Sequence, residues 1–248
     1  MAGMLYICAT PIGNLEDITL RTLRVLKEVD LIAAEDTRHS IKLMNHFEIT
    51  TPMTSYHEFN KYDKAKVLVE KMLEGTDIAL ITDAGTPAIS DPGEELVRQC
   101  LEAGIEVTSL PGPSAFVTAL TLSGKKTRRF CFEAFLPYDK KEREEVLAEL
   151  KKETRTILLY EAPHKLKKTL ADLYEVLGDR PVSIVKELTK KHETNLRTTL
   201  GKAITYYEEE DPRGEYVLVI EGADREILKE EAMQPFLKMT VPEHVQYY

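Results

Sequence analysis

The run Ile78-Ala-Leu-Ile81 is followed by Thr82-Asp-Ala-Gly-Thr-Pro-Ala-Ile-Ser-Asp-Pro-Gly93, and no other succession constrains the fold as strongly. Four apolar residues without alternation suit a strand covered on both faces, as in a parallel sheet. The two glycines and two prolines that follow prevent a strand or a helix from continuing. Helical spacing resumes over 94–101, which predicts Leu96, Val97 and Leu101 on one face. Open α/β sheets hold their ligands on loops that leave the carboxyl ends of parallel strands. A loop of roughly a dozen residues is long for a βα connection, which usually needs about 2–6. Gly85 removes a side chain where backbone must approach a ligand, and Pro87 and Pro92 stiffen the path. An ordinary connection is the alternative.

The same rhythm runs along the chain. Met4–Ala9 reads as a first strand, closed by the tight Thr10-Pro-Ile-Gly-Asn14. Thr19 is placed to cap a helix through Leu20, Leu23 and Leu26. Leu31–Ala34 is a short buried strand ending in Glu35-Asp-Thr-Arg38, either a polar cluster at the ligand edge or a salt-bridged helix start at Asp36. A helix over 40–47 follows, then a loop-rich stretch over 52–62 with His57, Glu58 and Asn60 exposed. Val67, Leu68 and Leu73 mark the apolar positions of a helix over 64–73, and 107–110 is a strand. Pro111-Gly-Pro113 then breaks the chain, and Ser114 is placed to cap a helix over 115–122. Further strands are expected at 130–135, 156–160, 182–185, 196–200 and 216–220, with helices at 140–151, 166–177 and 201–209. The expectation is an α/β protein of two α/β domains, 1–112 and 113–224, with a ligand cleft between them. A polar tail, 225–248, ends in Val245-Gln-Tyr-Tyr248 without a clear core role.

Composition excludes several classes. With 43% hydrophobic and 30% charged residues the chain suits a globular fold and not a disordered one. No apolar stretch approaches the roughly 18 residues of a membrane helix, and no export signal opens the chain. Cys8, Cys100 and Cys131 are far apart among apolar neighbours, which suits reduced core cysteines of a cytoplasmic protein. The net charge of −9 is unevenly spread: residues 1–112 carry 10 Lys and Arg against 18 Asp and Glu, and 113–224 carry 20 against 20. Basic residues bunch at 125–129, 165–168 and 186–191, where they suit phosphate contact or a solvated face.

P-loop, Rossmann glycine and nucleophile-elbow patterns are absent, and the six histidines show no metal spacing. What remains are Asp36, Arg38, the 83–93 loop, Glu161, His164, Lys186, Glu187 and Gly214-Glu215, all read as lying at strand carboxyl ends. For the charged ones a solvated or salt-bridged strand end is the plain alternative.

Ala9-Thr-Pro-Ile-Gly-Asn-Leu15, Ala34-Glu-Asp-Thr-Arg38, Thr82-Asp-Ala-Gly-Thr-Pro87, Ser90-Asp-Pro-Gly93, Leu110-Pro-Gly-Pro-Ser-Ala115, Tyr160-Glu-Ala-Pro-His164 and Lys186-Glu-Leu-Thr-Lys190 occur in that order. Together they resemble the small-subunit ribosomal RNA methyltransferase branch of the tetrapyrrole methylase superfamily, over about residues 4–222. The resemblance implies a homodimer that binds S-adenosyl-L-methionine and methylates the 2′-oxygen of a cytidine ribose in the decoding region of small-subunit (16S) ribosomal RNA. It implies cofactor contacts from Pro11, Gly85, Thr86, Pro87, Ile89, Ser90, Ser114 and Ala115. It matches Glu161, Leu188, Gly214 and Glu215 to positions that line the cleft from the second domain. Thr86 stands where the superfamily has Asp in Gly-Asp-Pro, and branch members usually carry a longer carboxyl-terminal tail. From strand-end position, Glu161 or Glu187 is a candidate base, with Lys186 or Arg38 as electrostatic support. Tyr56, His57 and Phe59 are candidates for stacking on an unpaired nucleotide, a plain surface loop being the alternative. DNA lacks the 2′-hydroxyl and is not an expected substrate. The rival readings are a C-methylating enzyme of tetrapyrrole synthesis and a non-catalytic RNA-binding factor that keeps the cofactor as a structural ligand.

Overall fold

The computed structural model describes residues 1–237. The chain divides into two compact units, the first running Met1–Ala115 and the second beginning at Phe116. The first contains β1 (Leu5–Cys8), α1 (Leu20–Glu28), β2 (Leu31–Ala34), α2 (Thr37–His46), β3 (Met53–Ser55), α3 (Lys61–Leu73), β4 (Ile78–Ile81), α4 (Gly93–Glu102) and β5 (Val107–Leu110). Its sheet has the order β3-β2-β4-β1-β5, and every pairing is parallel.

All four residues of β4 are buried, because both faces of the central strand are covered. Ile78 and Leu80 pack with Leu68 and Met72 of α3 and Leu96 and Cys100 of α4. Ala79 and Ile81, pointing the other way, pack with Val25 and Leu26 of α1 and Met44 of α2. The inward stripes of α3 and α4 differ from the sequence expectation. Val67, Leu73 and Leu101 are exposed, and the buried positions are Ala65, Leu68 and Met72 in α3, and Leu96 and Cys100 in α4. The i, i+4 step from Leu96 lands on Cys100, which here packs as a small hydrophobe. All three cysteines are free and buried. The 52–62 stretch also holds β3, a three-residue edge strand whose side chains are all half-buried. Too short to show alternation, it is held by pairing with β2.

Across the division runs α5 (Ala115–Ser123). Beyond it lie β6 (Phe130–Phe132), α6 (Lys140–Lys151), β7 (Thr156–Glu161), α7 (Pro163–Leu177), β8 (Pro181–Lys186), β9 (Thr194–Thr199), α8 (Leu200–Glu209), β10 (Tyr216–Ile220) and α9 (Arg225–Leu237). The second sheet has the order β6-β7-β10-β8-β9. Here β6 and β7 are parallel, while β10 runs antiparallel to both β7 and β8. One face packs against α6, α7 and α8 through Leu147, Leu170, Leu173 and Ala203. On Phe132 of β6 the Phe116 ring stacks at 4.5 Å, and Asn195 and Arg197 donate to the Leu122 carbonyl. β6 ends at Phe132 rather than 135, since Ala134 turns into the left-handed region at φ 51°. Of the tail, residues 225–237 form α9, whereas 238–248, including the Val245–Tyr248 end, lie outside the described residues.

Candidate functional site

In the first unit every strand is parallel, so the loops after β1, β2, β4 and β5 gather at one sheet edge. The long loop after β4 is tied there from several sides. Thr10 and Gly85 exchange backbone hydrogen bonds at 2.9 and 3.0 Å, and the Thr10 hydroxyl donates to the Thr82 carbonyl. Gly85 takes φ 87°, where a side chain is strained, and an added Cβ would come within 3.3 Å of Ile12. The Thr86 hydroxyl donates to the Pro113 carbonyl at 2.9 Å, joining the loop to the Pro-Gly-Pro break. That gives the departure from Gly-Asp-Pro a physical role.

Asp91 organises the far half of the loop. Its Oδ1 accepts from the Ala88 amide at 2.8 Å and the Gly93 amide at 2.7 Å. Ala88 and Ser90 are thereby held at φ 67° and 63°, conformations costing roughly 1–2 kcal/mol each for L residues. A Cβ on Gly93 would meet the Ala88 nitrogen and Asp91 Oδ1 at 2.8 Å, so only glycine fits. Ile89, at the turn between the strained residues, is exposed. Asp91 Oδ2 is buried and has no hydrogen-bond partner among the described residues. Burial pushes the Asp91 carboxyl above its ordinary value. In the sequence Asp91 stands out only within the Ser90–Gly93 motif; an Asp just before Pro-Gly is the signal for a side-chain turn onto the amide two residues on, here that of Gly93.

Glu35 accepts from the Thr82 hydroxyl and the Asp83 amide. The Asp83 carboxyl is raised by burial and by the nearby Glu35 charge. Arg38 and Asp36 take the helix-start alternative: Asp36 caps α2, accepting from the Arg38 amide and, through both oxygens, from its guanidinium. That guanidinium holds the Asp36 carboxyl down to about 2 while remaining 90% exposed. Tyr56 is not available for stacking on a nucleotide. It is fully buried and its hydroxyl donates to the Pro92 carbonyl, because β3 turns it into the core beneath the loop. Phe59 is exposed and His57 half-buried.

In the second unit the expected residues also meet at one edge, by a different route. Glu161 ends β7 and Lys186 ends β8. Gly214 and Glu215, expected at a strand carboxyl end, precede the amino end of β10. The antiparallel course of β10 pairs Tyr216 with both Glu161 and Lys186 and so brings them to the same edge.

Glu161 is only 4% exposed. One oxygen accepts from the Ala162 amide at the start of α7, the other from the Thr169 hydroxyl. Thr169 in turn accepts from Arg143, which pairs with Asp172 at 2.8 Å. Glu187 is more open. At φ 53° it turns back so that Oε1 accepts from the Glu215 amide at 3.0 Å and the Lys190 ammonium at 2.9 Å. Burial alone would raise its carboxyl, but Lys190 and the Glu215 amide together hold it below the ordinary value. Lys190 also pairs with Glu215 at 2.9 Å. Gly214, at φ 79°, leaves the space that Glu187 fills: an added Cβ would lie 2.4 Å from Oε1. Leu188 is buried behind this turn. Among the described residues no His, Cys, Asp and Glu group is arranged to hold a metal ion.

A family model described as Tetrapyrrole (Corrin/Porphyrin) Methylases matches residues 4–204. The chain belongs to the tetrapyrrole methylase family. Within it, the protein of Synechocystis sp. named Ribosomal RNA small subunit methyltransferase I is 51% identical over 240 residues, 95% of this chain and 86% of that protein. The protein of the same name from Halalkalibacterium halodurans is 49% identical over 246 residues, 99% of this chain and 84% of that one. The crystal structure of a diphthine synthase matches with a TM-score of 0.71 over 88% of this chain and 90% of that one. At 13% identity it shows the fold alone. The tetrapyrrole methylase fold thus accounts for two α/β units, each presenting loops at one sheet edge.

Proposed function

We propose that this protein transfers the methyl group of S-adenosyl-L-methionine to the 2′-oxygen of a cytidine ribose in the decoding region of small-subunit ribosomal RNA. The carrying observation is identity of about one half, over nearly the whole chain, to proteins named Ribosomal RNA small subunit methyltransferase I.

The loop edge of the first unit fits the cofactor. Left-handed Ala88 and Ser90 flank an exposed Ile89, so backbone polar groups and one apolar side chain are offered together. The unpartnered Asp91 Oδ2 is an acceptor suited to an amino or hydroxyl group. Pro11, Gly85, Thr86, Pro87, Ile89, Ser90, Ser114 and Ala115 are the first-unit contacts, and Glu161, Leu188, Gly214 and Glu215 those of the second. When bound, the cofactor supplies a methyl group activated by its sulfonium.

A ribose hydroxyl is a weak nucleophile, so this chain must take its proton and steady the developing oxyanion. Glu187 suits the base better than Glu161: both Glu161 oxygens already accept hydrogen bonds, whereas Lys190 and the Glu215 amide hold only Oε1 of Glu187, keeping the carboxylate ionised and leaving Oε2 without a hydrogen bond among the described residues. Lys186, beside it at the end of β8, is the electrostatic support. The case for Arg38 is weaker, since Asp36 already neutralises it. DNA lacks the reacting hydroxyl and is not a substrate. With small-subunit rRNA as its substrate, the protein acts in the cytoplasm, where subunits assemble, and as a homodimer. Among the described residues no helix is long and apolar enough to cross a membrane.

The test is transfer of labelled methyl to small subunits lacking the modification, with naked rRNA and a tetrapyrrole precursor in parallel. Label at a ribose 2′-oxygen is expected. Label on the macrocycle, or tight cofactor binding with no transfer to RNA, would overturn the reading.

A further inference from the structure

Beyond the residues already described, the edge of the second sheet carries a patch that neither fold nor proton transfer requires. The segment after β6 leaves the sheet beside the end of β7, because these two strands are parallel neighbours. Leu136 is buried and anchors that segment, while Phe135 and Tyr138 on either side of it are 51% and 85% exposed. Large aromatic rings left in water at a sheet edge lose the burial that normally retains them. The Phe135 ring rests on Tyr160 at 5.6 Å, and Tyr160 on Phe132 at 4.9 Å, so it has rigid backing. The Lys165 ammonium, from the first turn of α7, sits over the Tyr138 ring. His164 and Lys168 are exposed on the same end of that helix. The Asp139 carboxylate, the nearest acid in sequence, is engaged in capping α6 through the Glu142 amide.

Two exposed rings, Phe135 backed by packed aromatics and Tyr138 with the Lys165 ammonium over one face, have the chemistry of a single-stranded nucleic-acid surface. Bases stack on the rings and the cations meet phosphate. We propose that Phe135, Tyr138 and Lys165 form a stacking platform for an unpaired nucleotide of the RNA substrate, next to the one that is methylated. This assignment rests on the reaction proposed above. It gives the RNA a landing place in the second unit, where the charge balance is neutral, rather than in the acidic first unit. It moves the stacking role away from Tyr56, which is buried.

The chain contains no tryptophan, so Tyr138→Trp installs a lone indole fluorophore at the platform. Titration with single-stranded rRNA fragments should quench its emission, and the same fragment annealed to its complement should not. In parallel, Tyr138→Ala should raise KM for small subunits about tenfold. The melting temperature and the affinity for S-adenosyl-L-methionine should stay unchanged, and Tyr138→Trp should restore KM. Emission unmoved by single-stranded RNA, equal quenching by duplex, or quenching by whole subunits but not by naked rRNA would each overturn the platform. The last result would mean that a ribosomal protein is the contact. Normal methyl transfer with unmoved emission removes the platform alone; quenching with no transfer by the parent protein removes the reaction alone.

Discussion

Gly214→Ala tests the steric argument for the Glu187 turn. Two costs add. The first is backbone strain, since alanine at φ 79° is disfavoured by about 1 kcal/mol. The second is displacement: the new Cβ would lie 2.4–2.5 Å from Glu187 Oε1, Cδ and Cγ, so the whole carboxyl arm must swing away. Glu187 then loses the Glu215 amide at 3.0 Å and the Lys190 ammonium at 2.9 Å, about 1 kcal/mol each in this half-exposed setting. The sum is about 3 kcal/mol. Gly124 provides the control within the same unit, with φ 72° and nothing within 4 Å of an added Cβ. Gly124→Ala should therefore cost only the backbone share, about 1 kcal/mol. At roughly 4 °C per kcal/mol for a unit of this size, thermal unfolding should fall by about 12 °C for Gly214→Ala and about 4 °C for Gly124→Ala. Placed in a Glu187→Ala background, Gly214→Ala should shrink to the control value, because nothing is left to displace. Equal shifts for the two glycines, or strict additivity with Glu187→Ala, would refute the clash.

Other expectations follow from the same geometry. Thr86→Val removes the hydroxyl that donates to the Pro113 carbonyl and should weaken S-adenosyl-L-methionine binding about fivefold by calorimetry, an unchanged Kd contradicting the tie. Glu187 is held below the ordinary glutamate pKa of 4.5, so its contribution to stability is full above that value and is lost as pH falls through the lower, folded one. The stability gap between the parent protein and Glu187→Gln should close on acidification below about pH 4.5 in chemical unfolding; a gap that widens there would reverse the sign. Glu161→Gln keeps an acceptor for the Ala162 amide and should leave kcat within about fivefold, while Glu187→Gln should lower it by about 100-fold. The opposite order in single-turnover transfer would make Glu161 the base.

Much of this protein was legible in the sequence because its first unit is built from local signals. Uninterrupted apolar runs such as Ile78–Ile81 can be buried only in a doubly covered sheet. Gly-Pro punctuation then fixes where the chain must leave it. In a parallel sheet, leaving a strand is already a statement of place, so the loops around Thr10, Glu35, Gly85 and Pro113 could be assigned to one edge. Less was readable where register or orientation decides. Leu101 and Cys100 are adjacent, and only packing against the sheet chose the cysteine. Tyr56 looks exposed among polar neighbours, yet a three-residue edge strand turns it inward. Gly214 and Glu215 reach Glu187 only because β10 runs antiparallel, a direction that no residue within β10 encodes. The sequence by itself therefore determined most of the segments that become strands, helices and loops, since those depend on neighbours a few residues apart; the exception is β3, which exists only through its pairing with β2. Only the tertiary structure decided which carboxylate is bonded on both oxygens, which ring is left in water and which glycine must stay a glycine. Those depend on atoms that the chain brings together from as far apart as Glu187 and Gly214.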